Sequence, residues 1–176
     1  MHYENMSENK KECSLSREDI MKAKVKGYDA LAQLIKSLRN SGDLLFVLEN
    51  IGSLPSTFKP DCFIELLDYD NKDVRLWATK NLGKLKSISL LPIFMHIIDK
   101  DQNTSVKREA VSSIGRMRRM EAIPSLISIL QNTDPKIVCQ AIRGLLIFKG
   151  SHEVDDRLKE LLNHENEMVV SIIKKE

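Results

Sequence analysis

An internal repeat constrains this chain more than any other feature. The stretch Lys72-Asp73-Val74-Arg75-Leu76-Trp77-Ala78-Thr79-Lys80-Asn81-Leu82-Gly83-Lys84-Leu85 returns thirty-two residues later at Val106–Met117, and thirty-one residues after that at Ile137–Phe148. A period of this size marks stacked supersecondary units, none of which can bury its apolar face alone. The shared apolar positions are Val74, Ala78, Leu82 and Leu85, then Val106, Ala110, Ile114 and Met117, then Ile137, Ala141, Leu145 and Phe148. Their three-four spacing predicts a helix with one buried face. Alanine recurs where two helices would approach closely, and Gly52, Gly83 and Gly115 suit close packing or a helix end.

Each copy follows a second apolar segment. Pro60, Pro92 and Pro124 stand thirty-two residues apart and each opens such a segment, which fits a proline in the first turn of a helix, where a missing N–H costs nothing. Leu66-Leu67, Ile97-Ile98, Ile129-Leu130 and Leu161-Leu162 repeat in register, and polar turns at 68–73, 99–105, 131–135 and 163–167 follow them. Each unit is therefore an antiparallel helix pair. The expected units are 59–89, 90–121, 122–152 and an incomplete 153–176. Ahead of them the expectation is a frayed tail at 1–15 and a divergent helical pair at 16–58. Ser16 and Asp19 form a capping box, helix runs to Arg39 with Gly27 as a weak point or break, and Asn40 caps a shorter helix at 44–51. The last helix, Glu167–Glu176, stops partway through its repeat with Ile172 and Ile173 in need of cover, so the chain reads as the N-terminal piece of something longer.

Composition narrows the function classes. Aromatic residues are 5% of the chain, so its core must be aliphatic. Cys13, Cys62 and Cys139 are odd in number and far apart, which argues against a disulfide framework and for a reducing compartment. The N-terminus is polar and acidic, unlike a secretory signal. The longest apolar run, Ile88–Ile98, is too short to span a bilayer and carries Pro92 and His96. A cytoplasmic protein is the expectation. His96, His152 and His164 have no metal spacing with one another or with a cysteine. Nucleophile-elbow, phosphate-loop, dinucleotide and zinc-protease motifs do not occur. No catalytic residue, metal or cofactor is expected.

With these positions placed, the segment Asp61–Phe148 resembles HEAT repeats, specifically the short bacterial PBS-lyase HEAT-like type. Its signature, D-x-V-R-x-x-A-x-x-x-L-G-x-L, stands almost complete at Asp73-Val74-Arg75, Ala78, Leu82-Gly83 and Leu85. The second copy has Lys107 for the arginine; the third has Val138 and Leu146 in the arginine and glycine places. The resemblance implies an all-α fold, a right-handed α-solenoid of stacked antiparallel helix pairs with an armadillo-like superhelix. It further implies that the second helices line a concave face, and that Arg75 pairs with turn aspartates of its own or the next repeat.

Charge distribution is the functional clue. Across 72–85, 105–119 and 135–149 there are twelve basic residues against two acidic ones, Asp73 and Glu109, on a chain whose net charge is only +2. The candidate binding stripe is Arg75, Trp77, Lys80, Lys84, Lys107, Arg108, Arg116, Arg118, Arg119 and Arg143. Such a stripe suits phosphates or an acidic protein surface, and the alternative is a solvated face with repeat-to-repeat salt bridges. Arg116, Arg118 and Arg119 also answer the dipole of a helix C-terminus. Trp77, whose counterparts are Glu109 and Gln140, is a stacking platform, an interface anchor or simple packing. The favoured function is a non-catalytic interaction scaffold with a protein partner, nucleic acid being possible. The alternatives are the DNA-binding or regulatory module of a longer nucleic-acid-modifying enzyme, such as a DNA methyltransferase or restriction component, and a bilin-lyase-type chaperone or enzyme, which the resemblance alone suggests.

Overall fold

The computed structural model describes residues 15–175. Cys13 and all but the last residue of the expected tail at 1–15 lie outside the described residues. Every regular element among the described residues is helical, and the chain divides into two compact units after Gly52.

The first unit holds α1 (Arg17–Lys26), α2 (Tyr28–Ser37) and α3 (Ser41–Asn50). The capping box is present: Asp19 N–H donates to Ser16 Oγ at 3.3 Å and Ser16 N–H donates to Asp19 Oδ2 at 2.9 Å. The helical run expected from Ser16 to Arg39 is broken at Gly27, which takes φ 120°, a conformation that L side chains rarely adopt. Asn40 caps α3 by accepting from Asp43 N–H at 2.8 Å. The expected pair is thus three helices, with Ile20, Leu31, Ile35, Leu44 and Val47 buried.

The second unit is the repeat stack. It contains α4 (Asp61–Ile64) and α5 (Lys72–Lys84), α6 (Leu91–Lys100) and α7 (Thr104–Met117), α8 (Ile123–Ile129) and α9 (Pro135–Leu145), and α10 (His152–Glu160) and α11 (Glu167–Lys174). Pro92 and Pro124 stand in the first turn of α6 and α8, whereas Pro60 is the residue that caps the short α4. Within a pair α6 lies on α7 and α8 on α9, and between pairs α7 lies against both α5 and α9. The repeated apolar positions of the second helices are buried throughout, except that Phe148 is half-exposed in a tight 3-10 turn, Leu146–Phe148.

Each turn is built by the same hydrogen-bond chain. Asn71, Asn103, Asp134 and Asn166 are the N-caps of α5, α7, α9 and α11, each accepting from the N–H two residues on at 2.8 to 3.0 Å. The N–H of the last three caps in turn donates to Asp101, Asn132 and His164. A helix start leaves its first amides without backbone partners, and side-chain acceptors at alternate positions supply them.

Neighbouring second helices meet through small residues. A Cβ added to Gly83 would stand 2.9 Å from Ser113 Cβ, and one added to Gly115 would stand 3.0 Å from Gly144 Cα. Glycine is therefore required at these positions by proximity and not by backbone angle. Gly115→Val forces side-chain atoms into the α9 backbone. It should destabilise the chain by about 1–3 kcal/mol, the usual range for overpacking, and lower its urea midpoint without reducing helix content in the folded state.

Arg75 clamps successive pairs. Its Nε and Nη2 donate to the two carboxylate oxygens of Asp101 at 2.8 and 3.1 Å, while Nη1 donates to the carbonyls of Tyr69 and Asp70 at 2.9 and 3.0 Å. Both side chains are largely buried. Desolvation alone would raise the pKa of Asp101. The Arg75 hydrogen bonds, the Asn103 N–H and the neighbouring charges outweigh it and hold the carboxyl below its ordinary value. A depressed folded pKa gives stability that is present above the unfolded value, about 3.9, and is lost as pH falls through the folded one. Asp101→Asn should therefore cost about 1–3 kcal/mol at pH 7. The gap between the urea midpoints of wild type and variant should narrow as pH falls below the ordinary carboxylate range and the native carboxyl takes up its proton.

Candidate functional site

A second helix has four kinds of position, counted from its N-cap. The third, seventh and eleventh residues after the cap form the buried face: Val74, Ala78 and Leu82 in α5, Val106, Ala110 and Ile114 in α7, and Ile137, Ala141 and Leu145 in α9. The fourth, eighth and twelfth face the next repeat: Arg75, Thr79 and Gly83 in α5, then Lys107, Val111 and Gly115 in α7. The tenth (Asn81, Ser113, Gly144) is buried, and in α7 and α9 it meets the glycine column of the repeat before. What remains is an outer face, turned away from the first helices. It is formed by Leu76, Trp77, Lys80 and Lys84 in α5, by Arg108, Glu109, Ser112 and Arg116 in α7, and by Cys139, Gln140 and Arg143 in α9.

The structure sorts the ten expected stripe residues by these columns. Trp77, Lys80, Lys84, Arg108, Arg116 and Arg143 share the outer face. Arg75 does not, because its guanidinium is held in the clamp to Asp101. Lys107, in the same column as Arg75, lines a groove with Met95, Ile98, Asp99, Ser128 and Asn132, at the turn side of the stack. Arg118 and Arg119 follow the end of α7, where Arg118 adopts φ 53° and closes the helix in the left-handed region. Lys86 does the same after α5 at φ 51°.

Inside the outer face the cations differ in what they already touch. Arg116 donates to Glu109 Oε1 at 2.6 Å, to Ser112 Oγ at 2.7 Å and to Ser113 Oγ at 2.8 Å. Lys84 donates to Asn81 Oδ1 at 2.7 Å. Lys80 instead lies over the ring of Trp77, its Nζ 4.1 Å from the centroid, a cation–π contact on a half-buried tryptophan. Arg108 and Arg143 are exposed and both lie near the buried thiol of Cys139. Desolvation raises that thiol's pKa, and the two guanidinium charges oppose the rise. Arg143 also reaches Gln140 Oε1 at 3.3 Å. Lys80, Arg108 and Arg143 make no ion pair among the described residues.

The partners of Arg116, namely Ser112, Ser113 and Glu109, were not singled out by sequence reasoning. They lie four, three and seven residues before it, the spacing that puts side chains on one helical face. The signal was available. Among the described residues no three His, Cys, Asp or Glu side chains are placed to hold a metal ion. No helix among them is long and apolar enough to cross a membrane. The arrangement offers charge, one aromatic surface and amide donors, the means of recognition by contact.

Comparison with known proteins places this geometry. A search of curated protein sequences returned no match. Among solved structures, a chain from the complex of CpcE and CpcF of phycocyanin lyase from Nostoc sp. PCC7120 is similar with a TM-score of 0.62 at 18% identity, covering 86% of this chain and 98% of that one. An engineered protein is similar with a TM-score of 0.54 at 17% identity, over 93% of this chain and 86% of that one. A designed armadillo repeat protein in complex with the peptide (KR)4 gives a TM-score of 0.58 at 18% identity, over 92% and 85%. At these identities the likeness is one of fold. The family model for HEAT repeats matches residues 91–173, the segment in which α6 to α11 stack. The chain is a helical-repeat protein, and its residues 91–173 match the family model for HEAT repeats.

Proposed function

We propose that this chain is a non-catalytic interaction scaffold that binds a protein through the outer face of α5, α7 and α9. One observation carries the reading. Lys80, Arg108 and Arg143 stand on one face of three consecutive second helices without a carboxylate to neutralise them, beside the chain's only tryptophan. Isolated surface charges add little to stability, whereas a cationic field with an aromatic anchor favours encounter with an anionic surface and holds it once desolvated. A fold-level parallel supports the choice of a protein ligand, since the designed armadillo protein was solved with a peptide. That peptide is basic, as this face is, so the ligand proposed here carries the opposite charge.

The triple variant Lys80→Glu, Arg108→Glu, Arg143→Glu tests the reading. These side chains are exposed, so its thermal midpoint should stay within a few degrees of wild type. Immobilised wild-type chain should retain, after nuclease treatment, a protein that the variant releases, and retention should weaken with salt. Retention indifferent to the reversal would show that the face binds nothing.

A bilin-lyase-type activity is the second reading, resting on the fold likeness to a phycocyanin lyase chain. Addition of a free bilin should then shift its absorbance spectrum in the presence of the chain. An unchanged spectrum removes this reading and leaves the scaffold intact.

A further inference from the structure

The spacing of the outer-face groups restricts what kind of protein surface can satisfy them. Lys80 and Arg143 occupy the same position, nine residues after the N-caps Asn71 and Asp134, in helices two repeats apart. Between them the same position in α7 is Ser112, a short side chain already bound by Arg116. Two long cations therefore flank a low crossing point, with Trp77 beside the first and Gln140 beside the second. Arg108 stands one helical turn before Ser112, on the same face and next to Arg143 across Cys139.

The one carboxylate on this face, Glu109, is taken by Arg116 at 2.6 Å. The local charge therefore stays positive along a line that crosses the helices instead of following any one of them. Adjacent packed helices lie about 8–10 Å apart, and the contact of Gly115 with Gly144 keeps α7 and α9 close. An extended chain rises about 3.3 Å per residue, so one repeat corresponds to two or three ligand residues. A helical ligand rises about 1.5 Å per residue and would need a dozen or so residues to carry a carboxylate from Lys80 to Arg143.

We infer that the outer face takes an extended acidic segment of its protein partner, laid across α5, α7 and α9. One carboxylate meets Lys80 above Trp77, a second meets Arg143 five or six residues along, and Arg108 receives one between them. The side-chain amide of Gln140, whose oxygen accepts from Arg143, donates to a ligand carbonyl. This deepens the protein-binding reading and rests on it. The partner chemistry is a run of spaced aspartate or glutamate residues in an unfolded segment, and the order of its charges matters as well as their number.

Trp77 is the chain's only tryptophan, so its emission reports on the Lys80 end of the site. The full chain is titrated with three seven-residue peptides in an alanine and serine background. The first has glutamate at positions 1, 4 and 7, the second has glutamate at 1, 2 and 3, and the third has lysine at 1, 4 and 7. The spaced acidic peptide should change Trp77 emission saturably, binding at least fivefold more tightly than the clustered one, with no response to the basic one. Arg143→Glu, two repeats from the reporter, should weaken the spaced peptide about tenfold while leaving the emission of the unbound chain unchanged. Equal affinity for spaced and clustered peptides overturns the inference, as does tighter binding of duplex DNA at the same salt. If no acidic peptide binds while the triple charge reversal still releases a protein partner, the partner docks as a folded surface. The extended-segment inference then fails and the scaffold reading stands. If the reversal changes nothing either, both fail together.

Discussion

The stack depends on one steric constraint: successive second helices must come close enough to exclude water from a seam with no room for side chains. Gly83 against Ser113, and Gly115 against Gly144, set that distance. Everything else follows from the register they impose. With the helices held at this separation, Thr79, Val111 and Ile142 are buried between repeats, and Ala78, Ala110 and Ala141 are buried beneath the first helices. The Arg75 guanidinium then spans to Asp101 in the next turn, and Thr104 Oγ1 reaches Asp134 Oδ2 at 3.2 Å one repeat further on. A larger residue in the seam would lengthen all of these contacts together, because packed interiors do not deform locally.

Most of this was legible in the residues, for a physical reason. Periodic burial leaves a periodic imprint, so the helix pairs, the turn positions and the buried columns could be read by aligning the chain against itself. The capping box at Ser16 and the break at Gly27 were equally local and equally visible. The candidate site was less so. The nine cations of the candidate stripe were grouped as one surface, yet Arg75 and Lys107 lie in the column that faces the next repeat. A count of charge along a helix does not distinguish its faces. The third repeat also hid its glycine: Gly144 takes the buried tenth column after the cap, where Asn81 and Ser113 stand, not the column of Gly83 and Gly115. Contact between columns of different repeats is a property of the packing, and a single repeat does not carry it.

The same geometry explains why some cations are poor evidence of a ligand. Lys84 and Arg116 lie in the last turns of α5 and α7, where the carbonyl end of the helix favours positive charge at any sequence. Arg118 and Lys86 close those helices and sit at the same pole. Their presence is accounted for by the helices themselves. Arg116 is fixed further by Glu109 and two serines, so its charge is largely answered before any partner arrives.

Lys80 and Arg108 have no such account. Arg108 lies in the second turn of α7 and Lys80 well short of the end of α5, where the dipole gives a cation no advantage, and neither makes an ion pair among the described residues. Lys80 rests on Trp77, its Nζ over the ring. An aromatic ring on an outer face is costly to leave in water, and a lysine stem covers part of it. The pair thus presents an ordered ammonium on an apolar support, a surface that an incoming carboxylate can desolvate with less loss of rotamer freedom than at an unsupported lysine. Arg143 stands in the last turn of α9, where the 3-10 turn Leu146–Phe148 carries the chain onward, and it shares with Lys80 the ninth position after the N-cap. The columns that repeat build the stack, and the ones that differ between repeats leave an ordered cation, a gap and a second cation across three helices, a pattern that stacking alone does not require.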